Sequence, residues 1–309
     1  MSILVSGASG IVGYGILKSL RESGHALIGT TIYDFSIAPA FCDIVEKILP
    51  TDDPYYIENL CELIDKYKFD MIIPSIECDL YEWNLERKTL QSVTFPLLNN
   101  PDLINYCYDK WSFYQTLASE CPKYAIPTTL GNDFNPYFYP FLLKPRHGYG
   151  SKGIIKVRNK SDYESHISGI GADLMIQPII GSDDKEYTVS GFFDKDSNLI
   201  DYFPLRRKLV NGSTGEAIVE DRNFGDVLID LANTFKPIGP TNFQFRFDGD
   251  QPKLLEINPR ISSATSIRTA FGYNESQMSV GYFLNNKFPV KSDKPIGRKA
   301  IRYTEDYIF

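Results

Sequence analysis

The 309 residues, 35.1 kDa in mass, are enough for two or three compact domains with substantial cores. A hydrophobic share of 43% beside 23% charged residues is that of an ordinary globular chain and excludes wholesale disorder. A net charge of -7 and a pI near 5.1 argue against nucleic acid as the main partner while allowing anions in a local basic cleft, and no apolar run approaches the roughly 20 residues of a membrane span.

The start, Met-Ser-Ile-Leu-Val-Ser-Gly, reads as a first strand rather than a leader, with Ile3-Leu4-Val5 its buried part. Gly7 to Gly13 is a glycine-rich turn, and Tyr14 to Ser23 a helix stopped by Gly24. Strands at Ala26 to Ile32 and Ile44 to Ile48, a helix from Tyr56 to Tyr67 and a strand at Met71-Ile72-Ile73 continue the alternation. That rhythm implies an α/β, Rossmann-like domain over residues 1–104, an open parallel sheet with helices on both faces. Gly7-x-x-Gly10-x-x-Gly13, with Asp34 further on, is close to a dinucleotide fingerprint, and Tyr106-x-x-x-Lys110 satisfies the pattern of short-chain dehydrogenases. An NAD(P)-dependent oxidoreductase is therefore one alternative. The favoured reading of the turn is structural, because a first strand packed tightly on its helix needs glycine with or without a ligand. Glu77 follows the end of the Met71 strand, where ligands of open α/β sheets bind; it is a candidate substrate contact, set against capping of the next helix by Ser75 or Glu77.

Tyr108-Asp109-Lys110-Trp111 opens a helix that ends near Glu120, and a new domain begins. Pro140-Phe141-Leu142-Leu143-Lys144-Pro145 is a short buried strand ending in a lysine, followed by Gly148, Gly150, Ser151 and Gly153 and a second strand from Ile154 to Val157. Three glycines between two strands make a hairpin tip whose N–H groups can approach phosphate oxygens. It is not a Walker A loop, whose glycine and lysine order is absent. Leu174 to Gly181 runs a strand through Gln177, Pro178, Ile179 and Ile180 into a hinge suited to adenine, and Glu186-Tyr187-Thr188-Val189 begins another strand, with Glu186 a candidate ribose acceptor. Leu199 to Phe203 and Pro204 to Val210 read as strands, with Arg206 and Lys208 on one face as candidates for a γ-phosphate or an acceptor carboxylate. Asp221 to Phe235 is a helix, and so is Ser262 to Phe271, with Arg268 facing the cleft or solvent. Cys42, Cys61, Cys78, Cys107 and Cys121 contain no C-x-x-C pair and fit reduced thiols in a cytoplasm; His25, His147 and His166 have no zinc spacing.

The most telling stretch is Thr241 to Phe247, a turn at Asp248-Gly249-Asp250-Gln251-Pro252, and Leu254 to Arg260. Alternation puts Phe243, Phe245 and Phe247 on one face and Asn242, Gln244 and Arg246 on the other. A turn near Asp250 sets Gln244 opposite Glu256 and Asn242 opposite Asn258, so Gln244, Glu256 and Asn258 offer oxygens to a hard cation, with Arg260 beside them for a phosphate.

Leu-Glu-Ile-Asn-Pro-Arg resembles the metal-binding signature of ATP-grasp enzymes, especially the branch similar to the large subunit of carbamoyl phosphate synthetase. The resemblance covers nearly the whole chain in motif order. It implies a pre-ATP-grasp domain at 1–104, a small lid subdomain at 105–178 and a C-terminal subdomain with the metal site at 179–309. It further implies Mg²⁺ or Mn²⁺ on Gln244, Glu256 and Asn258. ATP would be held by Lys110, Lys144, the Gly148, Gly150, Ser151 and Gly153 lid, the Gln177 to Ile180 hinge and Glu186, and Lys144 and Arg260 would stabilise the transferring phosphate. Pro178 stands where the family usually has a hinge glutamate. The expected reaction activates a small-molecule carboxylate as an acylphosphate and joins it to an amine, with Glu77, Arg206, Lys208 and Arg268 as substrate contacts and a homodimer as the commonest assembly. A non-catalytic ATP-binding subunit is the other alternative.

Overall fold

Ile3 and Val5 face one way along the first strand and Leu4 the other, yet all three are fully buried, as in a parallel strand covered on both faces. The computed structural model describes residues 1–131, 138–148, 153–166, 169–171, 173–210 and 212–308. Strands β1 (Ser2–Val5), β2 (Ala26–Thr31), β3 (Ile44–Lys47), β4 (Met71–Ile73) and β5 (Phe95–Pro96) form a parallel sheet in the order β3-β2-β1-β4-β5. Helix α1 (Ile11–Leu20) covers one face together with Ile261 and Val280 from the far end of the chain. Helices α2 (Tyr56–Tyr67) and α3 (Glu77–Leu85) cover the other through Tyr56, Leu60, Leu63 and Trp83, and α4 (Arg87–Gln91) follows.

Packing explains the first turn. A Cβ on Gly13 would sit 2.3 Å from the Gly7 carbonyl oxygen, and one on Gly7 (φ +56) would press within 2.8 Å of Ser75 Oγ. The Tyr106 and Lys110 pair is split: α5 (Pro101–Tyr108) ends before Asp109, whose extended backbone and capping carboxylate start α6 (Lys110–Glu120). Tyr106 and Lys110 thus lie on different helices.

A four-stranded antiparallel sheet follows, in the order β6-β9-β7-β8, from β6 (Thr129–Leu130), β7 (Phe141–Pro145), β8 (Ile155–Val157) and β9 (Leu174–Pro178), with α7 (Lys160–His166) beside it. The third sheet, six-stranded and antiparallel, runs β14-β13-β10-β11-β12-β15. Its strands are β10 (Glu186–Phe193), β11 (Leu199–Val210), β12 (Ser213–Val219), β13 (Gly239–Asp248), β14 (Gln251–Asn258) and β15 (Lys299–Ile301). Leu199 to Val210 is one strand rather than two, since Pro204 keeps its register opposite Val189. Helix α8 (Phe224–Phe235) starts three residues later than expected because Asn223 is left-handed (φ +59). Helices α9 (Thr265–Ala270) and α10 (Glu275–Asn285) pack on α1 over the first sheet, and β15 follows them. Among the described residues no helix is long and apolar enough to cross a membrane.

Candidate nucleotide and metal site

The β13–β14 hairpin turns at Gly249 (φ +58) and Asp250, and its ladder runs regularly from Asp248 opposite Gln251 to Phe245 opposite Leu254. Leu255 is then left out as a bulge, and pairing resumes with Gln244 opposite Glu256 and Asn242 opposite Asn258. The extra residue changes the parity of the strand. Leu254 and Ile257 both enter the core beside Phe243 and Phe245, while Glu256 and Asn258 share the face of Gln244. Unbroken alternation would have put Leu254 on the polar side.

Glu256 is the hub of that face. Its Oε1 accepts hydrogen bonds from Gln244 Nε2 at 2.5 Å and Asn258 Nδ2 at 3.0 Å. The oxygen of Gln244 in turn accepts from Arg207 Nη2 at 2.7 Å. Asn242 is buried away from this group and accepts from Thr188 and Arg268.

Lys144, 9% exposed near the end of β7, donates to the Leu255 carbonyl at 3.4 Å. Burial lowers its pKa, against the opposing pull of Glu256 and Glu186. Lys110 touches the Gly148 carbonyl, and burial, then repulsion from Lys144, lowers its pKa too. The base of the glycine loop is clamped to α6: Arg146 donates twice to Asp109, at 2.7 and 2.6 Å, and holds that carboxyl well below its usual range. Gly148 (φ +127) and Gly153 (φ +76) adopt backbone conformations that favour glycine, whereas Gly150 and Ser151 lie outside the described residues.

These groups surround a cleft of about 290 Å³ lined by Lys110, Lys144, Gly148, the Gln177 to Ile180 hinge, Glu186, Gln244 and Glu256. A smaller cavity adjoins it, walled by Glu77, Tyr81, Lys110, Lys144, Glu256, Asn258 and Arg260. Gln177 is buried and donates to Thr128 at 2.9 Å. Arg260 forms an ion pair with Glu77 across the first and third sheets and donates to the Ile261 carbonyl at 2.8 Å; among the described residues its buried Nε has no partner.

Glu186 is 4% exposed and spends both oxygens on guanidinium groups. Arg207 reaches one at 2.7 and 3.1 Å, Arg246 the other at 3.0 and 3.2 Å. As placed, it holds two arginines at the cleft and has no oxygen turned free toward a ribose.

Three expected contacts are not brought to the cleft. Arg206 pairs with Glu220 at 2.7 Å, and Lys208 is 58% exposed near Glu216. Arg268 faces neither cleft nor solvent: it is fully buried against Glu275, Asn242, Thr188 and Ser262. Its place deep in the core reflects the short α9, which carries Arg268 inward rather than along the cleft. The residue missed was Arg207. Phe203 and Leu205 are the buried apolar positions of β11, and continuing their parity puts Arg207, not its neighbours, on the inner face.

Residues 172–306 match the family described as ATP-grasp in the biosynthetic pathway with Ter operon. A D-alanine–D-alanine ligase of Petrotoga mobilis is 25% identical over 204 residues, covering 56% of this chain and 64% of that protein. A probable low-salt glycan biosynthesis reductase of Haloferax volcanii is 32% identical over 113 residues, 36% of this chain and 34% of that one. The chain thus spans less than two thirds of either relative's length. The N5-carboxyaminoimidazole synthetase of Staphylococcus aureus, solved with ADP, superposes with a TM-score of 0.76 over 95% of this chain and 79% of that one at 16% identity. At that identity the likeness is one of fold.

Proposed function

We propose, on the premise that this chain is built on the ATP-grasp fold, that it is an ATP-dependent carboxylate–amine ligase releasing ADP and phosphate. One observation carries the reading: Lys144, Lys110 and the Gln177 hinge share a single cleft with Glu256, whose carboxylate is flanked by two side-chain amides. The ligase and synthetase names of the Petrotoga and Staphylococcus proteins support it. The Leu-Glu-Ile-Asn-Pro-Arg phrase supports a place near the carbamoyl phosphate synthetase large-subunit-like branch. We divide the chain into residues 1–104, 105–178 and 179–309, in keeping with its three sheets.

The donors suit magnesium. Among the described residues no three His, Cys, Asp or Glu side chains gather into a metal cluster; one carboxylate and two amides suit a hard cation that completes its shell with water and phosphate oxygens. Glu256 and Asn258 are the ligands we assign; Gln244, whose oxygen accepts from Arg207 at 2.7 Å, would be a third. Magnesium would offset charge on the β- and γ-phosphates. Lys144 and Lys110 add fixed positive charge beside them, and the glycine loop excludes water that would hydrolyse an acylphosphate. A carboxylate oxygen of the substrate attacks the γ-phosphorus and ADP leaves. The neutral amine nitrogen then attacks the acyl carbon and gives up a proton to solvent, the carbon–oxygen bond to phosphate breaks, and phosphate departs with that electron pair. A cytoplasmic setting is supported by five scattered cysteines that contain no C-x-x-C pair.

The test is a screen of carboxylate and amine pairs for ADP and phosphate release. Release that needs both partners, and is lost in Glu256→Gln, is expected. Nucleotide binding without carboxylate-dependent ADP release would instead mark a non-catalytic nucleotide-binding subunit.

A further inference from the structure

Among the described residues the six-stranded sheet ends at β15, which lies beside β12 with Ala300 opposite Ala217. The ladder uses alternate residues of this last strand. Val219 N donates to the Arg298 carbonyl at 2.9 Å and Arg302 N to the Gly215 carbonyl at 2.7 Å, so Lys299 and Ile301 between them turn their N–H and C=O groups outward. Side chains alternate as well. Ala300 packs on the cluster of Phe203, Leu205 and Tyr273, and Arg302 donates to the carbonyls of Thr214 and Ser263, both at 2.8 Å. Ile301 and Tyr303 are left 74% and 76% exposed, and Tyr303 Oη donates to Glu305 at 3.4 Å on that same solvent side.

An open edge is a template for another strand, and lysine on it commonly serves to repel one. Here the charges have an order: Arg298 and Lys299 precede Ile301 and Tyr303, and Glu305 and Asp306 follow. Among the described residues none of these four charged groups enters an ion pair. Turned antiparallel on itself about Arg302, the segment sets Arg298 opposite Asp306, Lys299 opposite Glu305 and Ile301 opposite Tyr303. Residues of one parity then meet residues of the same parity, as the outward backbone groups require. Moving the axis to Ile301 or to Tyr303 keeps that parity but loses both charge pairs, so the match is specific to one register. At the axis itself each Arg302 is turned inward onto its own Thr214 and Ser263 carbonyls.

We infer that two copies of this chain associate through this edge as an isologous dimer, β15 against β15, joining the two six-stranded sheets into one. Each charge pair then occurs twice across the axis, and each exposed Ile301 packs on Tyr303 of the second copy. None of these residues lines the nucleotide cleft, so the inference stands apart from the ligase reading.

Sedimentation velocity on the full chain over about 1 to 200 µM should show a concentration-dependent dimer that weakens as salt is added. Arg298→Glu with Lys299→Glu leaves only acidic groups at the four charged positions; Glu305→Lys with Asp306→Arg leaves only basic ones. Each double variant alone should dimerise at least about tenfold more weakly than the natural chain, and an equimolar mixture of the two should form a heterodimer. Ile301→Pro, which removes an outward N–H and spares the bonds to β12, should also leave a monomer. An unchanged far-UV circular dichroism spectrum in each variant reports that the fold is kept. A natural chain that stays monomeric over that range overturns the inference, as does a dimer that survives the reversals and Ile301→Pro, or a mixture that fails to associate.

Discussion

Lys144 donates to the carbonyl of Leu255, and Leu255 is the one residue that the β13–β14 ladder leaves unpaired. The bulge therefore does two things. It changes the strand's parity so that Glu256 looks into the cleft, and it frees a main-chain oxygen to hold the lysine that faces Glu256 from the small sheet.

Replacing Lys144 should separate binding from folding. Lys144→Met removes a buried cation whose desolvation is costly, so the melting temperature should hold or rise, as it does when buried charges give way to apolar groups. MgADP affinity, measured by calorimetry, should fall about ten- to a hundredfold through loss of a charge-assisted contact. Unchanged affinity with a lower melting temperature would show the lysine to be structural.

The two depressed lysines set a pH dependence. Nucleotide phosphate needs them protonated, so MgADP affinity should begin to fall at a pH below the usual lysine value of 10.5 and keep falling as pH rises. Because Lys144 is a cause of the lowered Lys110 value, Lys144→Met should move the remaining alkaline limb to higher pH. For folding the sign reverses: the unfolded chain binds more protons, so between the depressed values and 10.5 these groups favour the folded state more as pH rises. An alkaline limb at the ordinary lysine value in both proteins would contradict the proximity of the two ammonium groups.

Neighbouring arginines on β11 should behave differently. Arg206→Ala breaks a partly exposed pair and should cost about 0–1 kcal/mol with no change in MgADP affinity. Glu186→Gln removes the carboxylate that pairs with both Arg207 and Arg246, leaving Arg207 without a charged partner among the described residues while Arg246 keeps Asp183 at 2.9 Å, and should cost roughly 3–5 kcal/mol in urea denaturation. Combining it with Arg207→Met should recover part of that loss. Simple additivity of the two changes would disprove the coupling.

Local pattern made much of this legible. Helix Tyr56–Tyr67 and strand Met71–Ile73 could be read to the residue, and the Gln244–Glu256 and Asn242–Asn258 pairs from alternation about a turn. The bulge was not legible, because Leu254-Leu255-Glu256 reads as plain alternation and the parity change depends on packing against α8. Arg207 escaped because two opposite faces of β11 each offer basic residues, and only the packing of Phe203 and Leu205 decides between them. The occupation of Glu186 by two arginines, one 21 and the other 60 residues away, leaves no local trace at all.

The cover that Ile261 and Val280 give to the first sheet has a thermodynamic consequence. A parallel sheet must be dry on both faces, and here one face is finished only when the last third of the chain has arrived. The opening βα units are thus expected to gain full stability together with the metal-bearing hairpin, in one cooperative transition rather than as a module that melts apart from it.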